Sequence, residues 1–370
     1  MIDFKTGALR AIPAAAALCV GLAGTTPAHA AEAFEPRYNM AGSLGGEMFV
    51  PPDQAGWAGG VAVTHISVSK VTGNDGQAIS TTLPGGVVPL PAPTPAALYP
   101  TYGTSTAHFD ATGPMTRVDL AIGYITPERY AGGQFAFVVD VPYGRKKQDV
   151  NITASTPGLN WNPAIPAPVQ SAVQAQFGAQ YQAQVDAQSA DFSGEVTGIG
   201  DVELQAGWLY TGTQVHVLAG ASVVLPTGKY DTSPGPHIST GNYYTLRPAL
   251  QLAWLPTPEI GLATKMSVGL NTRNKDNELR SGNWVSVEAA AGYKTAVGVV
   301  GVHGVYLRQY QDDDNNPFGA SRFRSNSAGM FFTTKVPGID AALTLQYMTT
   351  TSSRNAKHGD FTQLRLVKVF

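Results

Sequence analysis

Along most of the chain past residue 30, apolar and polar side chains alternate with a period of two. In 201–208 the odd positions are polar or small and the even ones apolar. In 214–225, Val215, Val217, Ala219, Ala221 and Val223 share one face. In 259–273, Ile260, Leu262, Met266, Val268 and Leu270 share one face, with Lys265, Ser267 and Asn271 on the other. Segments 117–124, 134–141 and 340–347 repeat the pattern. A period of 3.6 would scatter these positions around a cylinder, so the pattern predicts strands.

The candidate strands are 59–71, 115–125, 133–143, 197–210, 213–225, 243–255, 259–273, 283–294, 297–310, 321–335, 339–351 and 360–370. The links between them alternate in length. Links 72–114, 144–196, 226–242, 274–282, 311–320 and 352–359 are the longer set. Links 126–132, Thr211-Gly212, Pro256-Thr257-Pro258, Thr295-Ala296 and Val336-Pro337-Gly338 are short. Long loops at one end and tight turns at the other are the layout of an outer-membrane barrel, and a soluble sandwich has no reason to sort its loops this way. The expectation is an all-β fold: a transmembrane antiparallel β-barrel of about 12 strands, with long extracellular loops and short periplasmic turns. Ten or fourteen strands stay open, because the long loops and the region before Gly59 have room for more.

Composition agrees without deciding. The 370 residues include 41 Gly and only 14% charged side chains, and no apolar run of helix-spanning length follows the N-terminus. A net charge of -2 lacks the basic stripe that nucleic acid requires. Residues 1–30 read as a signal peptide: Lys5 and Arg10 at the start, an apolar core interrupted by Pro13, and Ala28-His29-Ala30 as the cleavage site. The single cysteine, Cys19, lies within it, and Leu18 before it is a poor lipoprotein match. Residues 31–58 then form an N-terminal segment, a periplasmic or plug region, before the barrel of 59–370.

Aromatics near strand ends (Tyr124, Trp208, Tyr210, Tyr244, Trp254, Tyr293, Tyr306 and Tyr310) suit interfacial girdles. The chain closes on a strand and on Phe370, the kind of terminal aromatic that the barrel-assembly machinery reads, with Lys368 placed to snorkel. In the longest loop, Val169, Val173, Phe177, Tyr181 and Val185 recur every fourth residue, which predicts a short amphipathic helix over 170–187: a lid over the mouth, or a surface helix covering a loop.

Catalytic signatures are sparse. No Gly-x-Ser-x-Gly, His-x-x-x-His or phosphate loop occurs, and Ser67-x-x-Lys70 is a spacing met by chance. The acidic tip 312–316 has oxygen ligands of the Ca2+ type but reads more simply as a solvated loop. No catalytic residue, metal or cofactor is expected. If the alternation holds, the lumen receives Arg117, Asp119, Asp140, Asp201, Glu203, His216, Arg247, Gln251, Lys265, Arg273, Glu288 and Gln346. A charge on the lipid face at midplane would cost about 2–4 kcal/mol, so charges belong inside. They either pair and hold the barrel together, or Arg117, Arg247, Lys265 and Arg273 guide an anionic or aromatic solute.

Several short motifs carry a resemblance. Pro51-Pro52-Asp53-Gln54-Ala55-Gly56 opens a strand, as does Gly198-Ile199-Gly200-Asp201. Leu225-Pro226-Thr227-Gly228-Lys229-Tyr230-Asp231 forms a turn. Gly241-Asn242-Tyr243-Tyr244 leads to Arg247-Pro248-Ala249, and Ser281-Gly282, Gln309-Tyr310-Gln311-Asp312-Asp313 and Phe370 follow. In order and spacing these resemble the family named for the meta-pathway of phenol degradation, outer-membrane β-barrel transporter-like proteins. Segments 72–104 and 144–193 are longer than the family's compact early part. The resemblance implies an outer-membrane channel for passive uptake of small hydrophobic or aromatic compounds. Its implied partners are outer-membrane lipid, a small hydrophobic or aromatic solute and the barrel-assembly machinery. The alternative is a non-transport barrel, structural, adhesive or enzymatic; solute flux, with lipid hydrolysis as control, separates the two.

Overall fold

The computed structural model describes residues 37–38, 43–49, 54–231, 233, 235–316 and 322–370. The expected signal segment and Pro51-Pro52-Asp53 lie outside them. The chain divides into two compact units. Among described residues, 80–109 and 151–191 form the smaller, and the rest form the larger.

Alternating strands in the larger unit pair with their neighbours in sequence. In chain order they are β1 (Gly56–Thr72), β2 (Ser105–Ile125), β3 (Gln134–Ala154), β4 (Glu203–Thr211), β5 (Val215–Val224), β6 (Thr245–Trp254), β7 (Ile260–Asn271), β8 (Trp284–Lys294), β9 (Val299–Gln309), β10 (Arg324–Val336), β11 (Ala341–Arg354) and β12 (Ala356–Val369). The outer ends of β2 and β3 run on into the smaller unit. The ring closes because β1 pairs on one side with β2, Val61 facing Leu120, and on the other with β12, Val61 facing Leu366. All pairings are antiparallel, so the expected 12-strand barrel is what the described residues build.

Burial follows the alternation. On β7, Leu262, Met266 and Leu270 are exposed while Ala263, Ser267 and Asn271, each the next residue along, are buried. On β12, Leu364 is exposed while Gln363 next to it is fully enclosed. Leu120, Ile122, Phe135, Phe137, Val302 and Leu345 continue the outward apolar band. Water would not tolerate a continuous band of this kind, and lipid requires it. At the short-turn end Trp57 and Tyr124 meet edge to face at 5.3 Å, and Trp208 stacks on Tyr210 at 6.0 Å. The Trp208 indole N–H donates to Tyr130 O at 2.8 Å, the polar edge an interfacial aromatic presents. Lys368 lies 5.1 Å above the Phe370 ring. In the turn from β10 to β11, Gly338 takes a φ of 86°, which a side chain would resist.

β2 starts ten residues before the expected 115 and β3 runs eleven past the expected 143, and the structure departs from the expected strands in two further places. Expected strand 197–210 is two: Gly194–Ile199 pairs with the outer part of β3, and β4 starts at Glu203. Between them Asp201 accepts the Gly228 N–H at 3.1 Å and the Ser239 hydroxyl at 2.9 Å, and Gly200 N–H bonds to Pro142 O at 2.8 Å. These bonds draw the backbone out of the ladder without disturbing the alternation. Expected link 352–359 is no loop, because β11 and β12 join at Asn355 alone. Asn355 takes φ 48°, which asparagine tolerates, and its amide donates to Asn74 and Arg322 O.

In the smaller unit, helix α1 (Ala167–Phe192) is longer than the expected 170–187. Ala and Gln favour the helix, and Phe177, Tyr181 and Val185 form its buried stripe. Tyr181 hydroxyl meets Ser105 Oγ at 2.5 Å, and Tyr102 packs on Phe177 at 5.0 Å.

Met266→Arg puts a charge on the lipid face of β7 and should destabilise the lipid-embedded barrel by about 2–4 kcal/mol. Glu259→Ala, at an exposed turn, should change it by under about 0.5 kcal/mol. Denaturant unfolding in vesicles reads both; equal effects would put the outward face of β7 in water.

Candidate functional site in the barrel lumen

Inward positions of β2 to β6 carry one connected charge network. Arg117 Nε donates to Asp119 Oδ1 at 2.6 Å, and the same guanidinium lies 3.8 Å from Asp140. Asp140 faces Glu203 in register across β3 and β4. Glu203 pairs with Arg247, whose Nε donates to Ser222 Oγ at 3.2 Å. On the next strands Lys265 and Glu288 face each other in register and pair at 3.2 Å. His216 and Gln251 are half-buried on the same inward side, and Gln346 is enclosed. Arg273 lies elsewhere: β7 ends at Asn271, and Arg273 is exposed in the following loop, where it pairs with Asp314. The alternation had been extended two residues past the end of the ladder. The acidic tip is engaged too, with Asp312 on Arg322 at 2.8 Å and Asp313 accepting from Gln309 and Gly282.

Residues 37–38 and 43–49 run among these inward side chains. Arg37 pairs with Asp201 at 2.9 Å, and its guanidinium carbon lies 3.9 Å over the Tyr243 ring. Tyr38 hydroxyl donates to Glu288, whose other oxygen accepts the Leu44 N–H at 2.9 Å. Leu44 O meets His303 Nδ1 at 2.9 Å and accepts from Gln346 at 2.7 Å. Gly46 N–H donates to Thr333 Oγ1 at 3.1 Å, and His216 Nδ1 meets Met48 O at 3.1 Å. Glu47 forms a two-pronged pair with Arg365, at 2.6 and 2.8 Å. Backbone outside a strand has polar groups that must be matched inside a barrel, and seven wall strands supply partners here, β6 through Arg247, which donates to Arg37 O at 3.1 Å. Burial raises the Glu47 carboxyl, but the Arg365 charge and its hydrogen bonds outweigh that and leave it below its ordinary value.

The segment also brings apolar side chains. Leu44, Met48 and Phe49 cluster with Ala253, Ala263, Ala290, Val299 and Phe331. Sequence reading missed Arg365, His303, Thr333 and Glu47. Arg365 was legible, since it sits between the outward Leu364 and Leu366. His303 was not, because β9 carries valine on both faces, Val300 and Val302 outside and Val299 and Val305 inside.

Residues 104–366 match the family model described as "Putative MetA-pathway of phenol degradation". The chain belongs to this family. A comparison with curated proteins finds no match. Among solved structures, the COG4313 outer membrane channel from Pseudomonas putida F1 is similar at a TM-score of 0.59, with 13% identity over 86% of this chain and 97% of that one. A Pseudomonas aeruginosa FadL homologue aligns at 0.38, with 10% identity over 90% and 97%. The CymD monoaromatic hydrocarbon channel aligns at 0.36, with 11% identity over 95% and 96%. The first likeness establishes a shared fold. This member of the phenol-degradation family is thus an outer-membrane barrel, its apolar exterior in lipid and its charges turned inward.

Arg365→Ala leaves the half-buried Glu47 without its cation, a loss of about 1–3 kcal/mol, between an exposed and a fully buried pair. The expected outcome is protease cleavage within residues 37–49 of a barrel that still migrates anomalously when unboiled. The Glu47 carboxylate is lowered, so its contribution is complete above the ordinary value of 4.5 and is lost as pH falls through the folded value. Wild type should therefore become sensitive to pepsin in this segment on strong acidification. Undiminished protection of Arg365→Ala at neutral pH would show that the pair does not hold the segment.

Proposed function

We propose that this protein is a channel for the passive uptake of small hydrophobic or aromatic compounds across the outer membrane. The observation that carries the reading is membership of a phenol-degradation family by a chain folded as a closed barrel. The fold shared with a solved outer membrane channel supports transport over catalysis. Transport of this kind runs down a gradient and needs no cofactor.

Two structural roles belong to the proposal. Arg117, Asp119, Asp140, Glu203, Arg247, Lys265 and Glu288 line the lumen and brace it: Arg117, Arg247 and Lys265 each have a carboxylate partner, which supports bracing over capture of an anion. The segment before Gly56, where the barrel starts, acts as a plug, supported by the bonds of 37–38 and 43–49 to inward side chains. Assembly through the closing strand β12 by the barrel-assembly machinery is part of the same reading.

Initial uptake of labelled toluene, benzoate and a sugar of similar size, in cells with and without the protein, tests it. Faster entry of the aromatics alone is the expected result. Equal gains for all three would mean a general pore. No gain for any would move the protein to the structural or enzymatic class.

A further inference from the structure

The charge network does not cover the whole inward wall. Three inward positions side by side are glycine: Gly261 on β7 faces Gly292 on β8, which faces Gly301 on β9. The next position in the row is Phe331 on β10. Without side chains on three adjacent strands, the wall is hollowed by about the thickness of one ring. Aromatic rings fill the hollow. A Cβ on Gly261 would stand 2.3 Å from the Phe49 ring, and one on Gly292 would stand 2.7 Å from it. A Cβ on Gly301 would meet the Phe331 ring at 2.2 Å. The two rings are 6.3 Å apart and within 25° of parallel. Ala263, Ala290 and Val299 complete an apolar lining, and the His303 ring stands edge-on to Phe331 at 5.9 Å.

Phe49 is not the only anchor of its segment. Gly46, Glu47 and Met48 hold to Thr333, Arg365 and His216 through polar contacts that do not involve the ring. The ring enters a planar apolar seat, one of three buried apolar clusters to which the barrel strands contribute among the described residues. Beyond its Cα, phenylalanine is a benzyl group, so the seat already holds the shape of a monocyclic aromatic compound. We propose that the hollow over Gly261 and Gly292 is a binding site for a monocyclic aromatic solute, and that Phe49 fills it as an internal stand-in displaced when the solute enters. The inference rests on the channel reading and adds to it the substrate class and its seat.

Toluene is the probe, titrated into detergent-purified wild type, Phe49→Ala and Phe49→Ala with Gly292→Leu. Folding of each is checked by unboiled gel migration. With the competing ring removed, Phe49→Ala should bind toluene about 10-fold or more tightly than wild type, because the binding-competent fraction is no longer depleted. Gly292→Leu should remove that gain by filling the seat. A second measurement does not depend on the double variant. Met48→Cys, in a chain whose single natural cysteine is Cys19, should react faster with a maleimide when toluene is present, as the ring leaves and the segment loosens. Equal toluene affinity in wild type and Phe49→Ala, a gain that survives Gly292→Leu, or labelling indifferent to toluene would overturn the proposal. Aromatic uptake by wild-type cells without these effects would leave the channel reading standing and remove this seat. The effects without aromatic uptake would do the reverse.

Discussion

A peptide group in hydrocarbon has no water to bond to, so each N–H and C=O that faces lipid must find a partner within the protein. One seam satisfies the last of these here. Without the ladder of β1 against β12, two long edges would stand open in the bilayer, each unmatched group costing several kcal/mol. With the ladder in place, every wall strand has two neighbours. The antiparallel order, the even number of strands and the sorting of loops to one end all follow from that closure.

Closure creates a second problem, which the interior answers. A ring of twelve strands encloses more space than its own side chains fill, and polar groups brought inside need partners. Arg117 finds one carboxylate on its own strand and another on β3, Arg247 finds one two strands away on β4, and Lys265 finds one on the next strand. The segment before β1 meets others: Tyr38 and Leu44 take up Glu288, and Glu47 takes up Arg365. Charged side chains and an irregular stretch of backbone thus complete each other, where either alone would leave buried groups unsatisfied.

The wall was legible in the sequence because a half-buried strand writes its two faces in alternate residues, and β5, β7 and β11 do so plainly. The family motifs agreed with it. Where the backbone changes course without changing the alternation, the sequence is silent. Asp201 pulls the chain out of the ladder between Ile199 and Glu203, yet Val202 and Leu204 keep the pattern. At Asn355 a single left-handed residue replaces an expected loop, and polar residues on either side gave no sign that pairing continued to the tip. The interior was legible as a set of charges but not as a set of pairs. Which carboxylate meets Arg247 depends on register across β4, β5 and β6. The bonds from residues 43–49 to the wall depend on contacts that local pattern does not encode.

The separation of those partners bears on how the molecule comes together. Leu44 bonds a residue 244 positions away, and Glu47 one 318 positions away. The strands that hold the segment are β5, β6 and β8 to β12, so most of its sockets come from the last part of the chain. The segment cannot settle until that part has arrived, and it leads directly into β1, one half of the seam. Contacts between such distant positions form late and slowly. Filling the interior therefore waits for the same late strands that supply the other half of the seam.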